Sequence, residues 1–177
     1  MKRSSRDLAL CGVLCALAVA IMAMGTIIPA ATYCCPLLAS MAILPVLLLC
    51  GEKLSWAMFA ASAILSLLLA PDKEAAAIFL ALGYYPIVKP KLDKKPKPVR
   101  IFGKALLFNA AICAVYAALL FLFRMDALRE EFSQMGGLLL AGLLLGGNFI
   151  FWLDDKLLER FTPRVAALCA RWTKKRG

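Results

Sequence analysis

The chain has 177 residues, of which 63% are hydrophobic and 18% charged, with 21 Lys and Arg against 11 Asp and Glu and no histidine. A soluble domain runs nearer about 45–50% apolar and about 25% charged, so the composition excludes an ordinary soluble fold and points to a membrane. The missing histidine removes the commonest general base and metal ligand, and the length leaves no room for a soluble catalytic domain beside six spans of about 20 residues.

The N-terminal MKRSSR precedes an apolar run that continues too far to be the core of a cleaved signal peptide. No residue between Asp7 and Glu52 is charged. That stretch is long enough for two spans, broken where Gly25, Pro29 and Pro36 gather. The reading places helices over 8–28 and 32–50, then a third over 54–70 after the turn Gly51-Glu52-Lys53. Asp72 suits the N-cap of a fourth span, 74–88. Its uncharged part, Ala75 to Val88, is short for a hydrocarbon core of about 30 Å and pulls Glu74 toward the apolar edge.

Residues 89–100, KPKLDKKPKPVR, read as a linker whose prolines and lysines exclude both a helix and a core. A fifth span is expected over 101–123 and a sixth over 136–153, joined by the loop RMDALREEFSQ. Together, 1–153 form a transmembrane domain and 154–177 a basic tail. Leu157, Leu158, Phe161, Val165, Leu168, Cys169 and Trp172 recur at helical spacing beside Arg160, Arg164 and Arg171, so the tail reads as an amphipathic helix on an anionic lipid surface. The Asp154-Asp155 pair is expected to cap that helix, and Pro163 is a candidate break.

Orientation follows from the basic residues. The segment 2–6, Lys53, the stretch Lys89 to Lys104 and the stretch Lys156 to Arg176 hold 18 of the 21 Lys and Arg. Lys73, Arg124 and Arg129 are the other three. Six spans with both termini in the cytoplasm put the large group inside and the small group outside. The expected fold class is therefore an all-α integral membrane protein: a six-helix bundle, N-in/C-in, with a C-terminal surface helix. The location implied is a bacterial cytoplasmic membrane, and nucleic acid is not an expected partner.

The seven cysteines are odd in number, contain no CxxC, and read as small apolar packing residues. Gly12, Ala16 and Ala20 form a stripe of small residues on the first helix, which permits close approach of another helix. Ala57/Ala61, Ala77/Ala81, Ala110/Ala114/Ala118 and Gly142/Gly146 repeat the pattern, so packing within the bundle explains it as well. Asn109, Asn148 and the pair Tyr84-Tyr85 lie deep in their spans and are expected to tie helices together by hydrogen bonds, or to floor a pocket. Toward the outer face, Tyr33, Asp72, Glu74, Tyr116 and Arg124 fall at one level and form a candidate site for a small molecule with a flat or apolar body and one charged group. No GxSxG, HExxH, GxGxxG or GxxxxGK[ST] occurs, so no enzyme, metal or cofactor is expected.

Size, six spans, topology and the Ala16-xxx-Ala20 stripe together resemble the substrate-binding S component of energy-coupling factor (ECF) transporters. The resemblance implies that Gly12, Ala16 and Ala20 dock on a transmembrane coupling subunit, itself seated on two ATPases. It also implies capture of a vitamin or related micronutrient from outside. The alternative is a small structural membrane protein, similar in size and span count to the rod-shape-determining scaffold of cell-wall machinery, or a lipid-handling protein.

Overall fold

A computed structural model describes residues 5–25, 31–121 and 137–174; Arg124 and the side chain of Tyr33 lie outside what it describes. Among the described residues every regular element is helical. α1 covers Ser5–Met24, α2 Ala31–Met41, α3 Ile43–Cys50 and α4 Glu52–Leu69. α5 covers Lys73–Leu82, α6 Tyr85–Leu92, α7 Lys97–Phe121 and α8 Gly137–Lys174. Among the described residues, three helices, Ser5–Met24, Glu52–Leu69 and Lys97–Ala118, are long and apolar enough to cross a membrane.

Four expectations need correction. The span expected at 32–50 is two helices with a break at Ala42. Pro45 lacks the N–H that would bond the Met41 carbonyl, and its ring crowds that carbonyl. The span expected at 74–88 is also two helices. α5 stops after ten residues, or about 15 Å at 1.5 Å per residue. A turn at Gly83 and Tyr84 then leads into α6. The joint requires glycine, because a Cβ at Gly83 would lie 2.6 Å from the Phe79 carbonyl oxygen and 2.9 Å from the Phe79 ring.

The supposed linker is largely helical. α6 runs through Lys89 and Pro90 to Leu92, and α7 begins at Lys97. Proline is tolerated where it falls in a first turn, as Pro86 and Pro98 do, because the missing N–H has no intrahelical partner there. Pro90 is not in a first turn; its neighbours Lys89 and Lys91 are anchored by ion pairs to Asp155 and Glu52. The fourth correction concerns the tail. α8 is one helix of 38 residues with Pro163 inside it, about 57 Å long. Asp154 and Asp155 therefore sit in its middle and cap nothing. Thr162, just before the proline, donates its hydroxyl to the Leu158 carbonyl at 2.7 Å.

Two apolar cores hold the bundle. The first joins α1 to α5 and is rich in small residues, including Cys11, Cys15, Ala18, Ala39, Ala63, Ala75 and Ala76. Small side chains let the backbones approach closely, which suits helix packing without a strong hydrophobic drive. The second core joins α5, α6, α7 and α8, with Leu44 of α3, and is aromatic, built on Tyr85, Phe108 and Phe151. Tyr85 meets Phe151 edge to face at 4.7 Å, and Phe108 stacks on Phe151 at 4.8 Å. Two buried serines bond backbone one turn earlier, Ser62 donating to the Met58 carbonyl at 2.8 Å and Ser55 to the Gly51 carbonyl at 3.0 Å, whereas the buried Ser66 hydroxyl finds no hydrogen-bond partner among the described residues.

Candidate functional site

The residues singled out in the sequence separate into three places. At the start of α5, Asp72 accepts a hydrogen bond from the Ala75 N–H at 3.0 Å and so acts as the N-cap. Lys73 turns back and donates to the Leu67 and Ala70 carbonyls at the end of α4, at 2.9 and 3.0 Å. Glu74 accepts from the Tyr116 hydroxyl of α7 at 2.9 Å. Glu74, Tyr116 and Asp72 thus belong to one corner of the bundle. Ser66, Ala70, Ala75, Ala76 and Phe79 at the same corner are fully enclosed.

The second place is the polar layer. Asn109 on α7 and Asn148 on α8 exchange hydrogen bonds at 3.0 and 3.1 Å. Each amide also donates to its own helix, Asn109 to the Ala105 carbonyl and Asn148 to the Leu144 carbonyl, both at 2.8 Å. Both N–H groups of each side chain are used, so the pair is closed. Tyr84 is not part of this layer. It stacks on Trp56 at 6.2 Å and meets Phe59 edge to face at 5.8 Å.

The third place is the α1 stripe. Cys11, Cys15, Ala18 and Met22 face the core, while Gly12, Ala16 and Ala20 on the adjoining face are exposed. A Cβ at Gly12 would meet no atom within 4 Å. Ala57 and Ala61 on α4 and Ala110, Ala114 and Ala118 on α7 are exposed too, whereas Ala77 and Ala81 are buried. Gly142 and Gly146 also face open space, and the close contact in α8 is made by Gly147, where a Cβ would lie 3.3 Å from Phe108.

The densest polar cluster lies where the sequence suggested a linker and a cap. Asp155 receives Lys89 and Tyr85 from α6 and both oxygens take Lys104 from α7, at 2.8 and 2.9 Å. Asp93 closes the group, 2.6 Å from Lys104 and 3.4 Å from Lys89. Both lysines are buried, with side chains 8% and 9% exposed. Burial alone would raise the Asp155 carboxyl, but the Lys104, Lys89 and Tyr85 donors outweigh it and hold it below the usual carboxylate range. One signal in the sequence pointed here: Phe151, Asp154, Leu158, Thr162 and Val165 keep the spacing of a single helix face straight through the acidic pair.

All seven cysteines are free; Cys11, Cys15 and Cys35 are buried as expected of packing residues, whereas Cys34 and Cys113 are exposed. Among the described residues no group of three or more acidic or cysteine side chains is placed to hold a metal ion. No family model matches the chain, and neither a curated protein nor a solved structure is similar to it.

Proposed function

We propose that the chain is the membrane-embedded substrate-capture subunit of an ECF-type importer for a vitamin or related micronutrient. In this reading it spans a bacterial cell membrane six times: α1, α2 with α3, α4, α5 with α6, α7, and the first part of α8. Both termini lie on the cytoplasmic side, where the segments bearing 18 of the 21 basic residues then fall. The observation that carries the reading is the stripe Gly12, Ala16 and Ala20, a helix face of small residues that is exposed among the described residues. A partner's transmembrane helix can approach such a face closely, as a coupling subunit must. The substrate would bind at the opposite, outer end, near Glu74 and Tyr116.

Leucine at Ala16 or Ala20 tests the docking. The variants are expected to insert normally and to lose co-purification with a co-expressed coupling subunit and its ATPases. Retained complexes in both variants would overturn the reading.

A second reading, a small structural membrane protein of the cell-envelope machinery, is favoured by one specific observation. The corner around Glu74 is filled by enclosed side chains, with Ala70, Ala75, Ala76 and Phe79 all at 0% exposure. Native mass spectrometry of the purified protein separates the two. A capture subunit retains a small molecule that Glu74→Gln weakens, and a scaffold retains none.

A further inference from the structure

Asp154 and Asp155 are neighbours in sequence with opposite surroundings. Asp155 accepts from three donors, whereas Asp154 is 4% exposed and its Oδ1 is sealed without a hydrogen-bond partner. The charged and titratable groups of the junction come from three helices. α6 contributes Tyr85, Lys89 and Asp93, α7 contributes Lys104, and α8 contributes Asp155 and Glu159. α3, which packs on the same stretch of α8, carries no charged residue. Lys89 and Lys104 balance Asp155 and Asp93, and Glu159 is taken by Lys156 at 2.9 Å. Among the described residues, no ion pair is left for Asp154. An uncompensated carboxylate in such a place is costly, and the inexpensive remedy is a proton.

We propose that Asp154 is a proton-responsive latch: protonated, it lets α6, α7 and α8 close on an electroneutral lysine–aspartate cluster, and ionised, it loosens that junction. Burial, followed by the neighbouring Asp155 charge, pushes its carboxyl up to about 7, with Lys89 offsetting this only in part. The folded protein therefore holds this proton more tightly than the unfolded chain does. Stability falls as pH climbs from the ordinary carboxylate range to about 7 and is flat above it. Beside the junction, a cleft of about 380 Å³ between α3, α6 and α8 has Lys89, Asp93 and Glu159 in its wall. It provides the space into which a loosened α6 can shift. The latch would operate whatever the protein captures, so it stands apart from the transport reading.

The test is an infrared pH titration of the full-length protein in lipid nanodiscs, paired with thermal unfolding across the same pH range. The wild type is expected to show the carbonyl band of a protonated carboxylic acid in mildly acidic buffer and to lose it around neutral pH. Asp154→Asn should lack that band, unfold at a higher temperature than wild type at pH 8, and show a flatter dependence on pH. Asp154→Glu, which keeps the titrating group, should restore a shifted band if the asparagine variant folds poorly. No such band in mildly acidic wild type, or a band and pH slope unchanged in Asp154→Asn, would overturn the proposal.

Discussion

The two polar ends of the bundle solve the same problem in different ways. At the α4–α5 corner, charged groups are satisfied mostly by backbone close by in sequence: Asp72 bonds the Ala75 N–H, and Lys73 bonds the Leu67 and Ala70 carbonyls. A long-range tie also runs there, from Tyr116 to Glu74, 42 positions apart. At the α6–α8 junction, Asp155 is held by side chains 51 to 70 positions away, all on other helices. At the corner, Glu74 takes the Tyr116 hydroxyl from α7 while its neighbours Asp72 and Lys73 bond local backbone. Distributed satisfaction welds three helices together, because no one of them can move without exposing a buried charge. The contrast makes the corner depend on the order of residues along one stretch of chain and the junction depend on how three helices pack.

The sharpest way to break the comparison is to remove Asp155. Asp155→Ala leaves Lys89 and Lys104 buried without their shared acceptor, and breaking a buried pair from one side costs about 3–5 kcal/mol. Thermal unfolding in detergent should show this as the largest loss of any single substitution named here. Asp155→Leu combined with Lys104→Met should recover much of that loss, since replacing a buried pair by apolar groups is often close to neutral. A double variant no more stable than Asp155→Leu alone would show that the junction is not held by this pair.

Gly83 links the two ends, and it offers a control on geometry alone. Gly83→Ala forces a Cβ against the Phe79 carbonyl at 2.6 Å, an overpacking expected to cost about 1–3 kcal/mol. Gly12→Ala meets open space and should gain up to about 1 kcal/mol from helix propensity. Equal effects at both positions, read by the same unfolding assay, would mean that the α5–α6 joint is not closely packed.

At the corner the expected effects are smaller. Tyr116→Phe removes the hydroxyl that meets Glu74 and should cost about 1 kcal/mol, within the usual net worth of a hydrogen bond. Glu74→Gln keeps an acceptor for Tyr116 and should cost less. A loss at Glu74 as large as that at Asp155 would erase the distinction between the two ends.

The smallest effect is expected at the amide pair between them. Asn109→Ala should lower stability by about 0.6 kcal/mol, up to about 1.7, the range for interhelical hydrogen bonds in membranes. The Asn148→Ala effect should then largely vanish in the Asn109→Ala background, because the two bonds are reciprocal. Additive losses would show that each asparagine acts through its own helix.

Composition and local order made part of this molecule legible in advance. The uncharged run from Leu8 to Gly51 and the apolar stretches after Glu52 and Ile101 announce helices of membrane length. Asp72 announces a cap, since capping depends on residues within one turn of each other. The amide pair was also suggested by two asparagines at comparable depth in apolar helices, where each must find a partner. These features rest on spacing along one helix or on the solvent each helix must face, and both are properties of the sequence.

What only the tertiary structure decided is how the basic stretch after Val88 is used. Composition alone makes KPKLDKKPKPVR a solvated linker, and Asp154-Asp155 a cap. In the fold, Lys89 and Asp93 turn toward Lys104 and Asp155, which brings 89 and 155 into contact across 66 positions. A lysine next to prolines reads as exposed because burying it unpaired is prohibitive; an acidic partner from a distant helix reverses that sign. Local sequence cannot report that partner, because helix propensity and hydrophobic period set where each helix begins but not which faces of two helices meet.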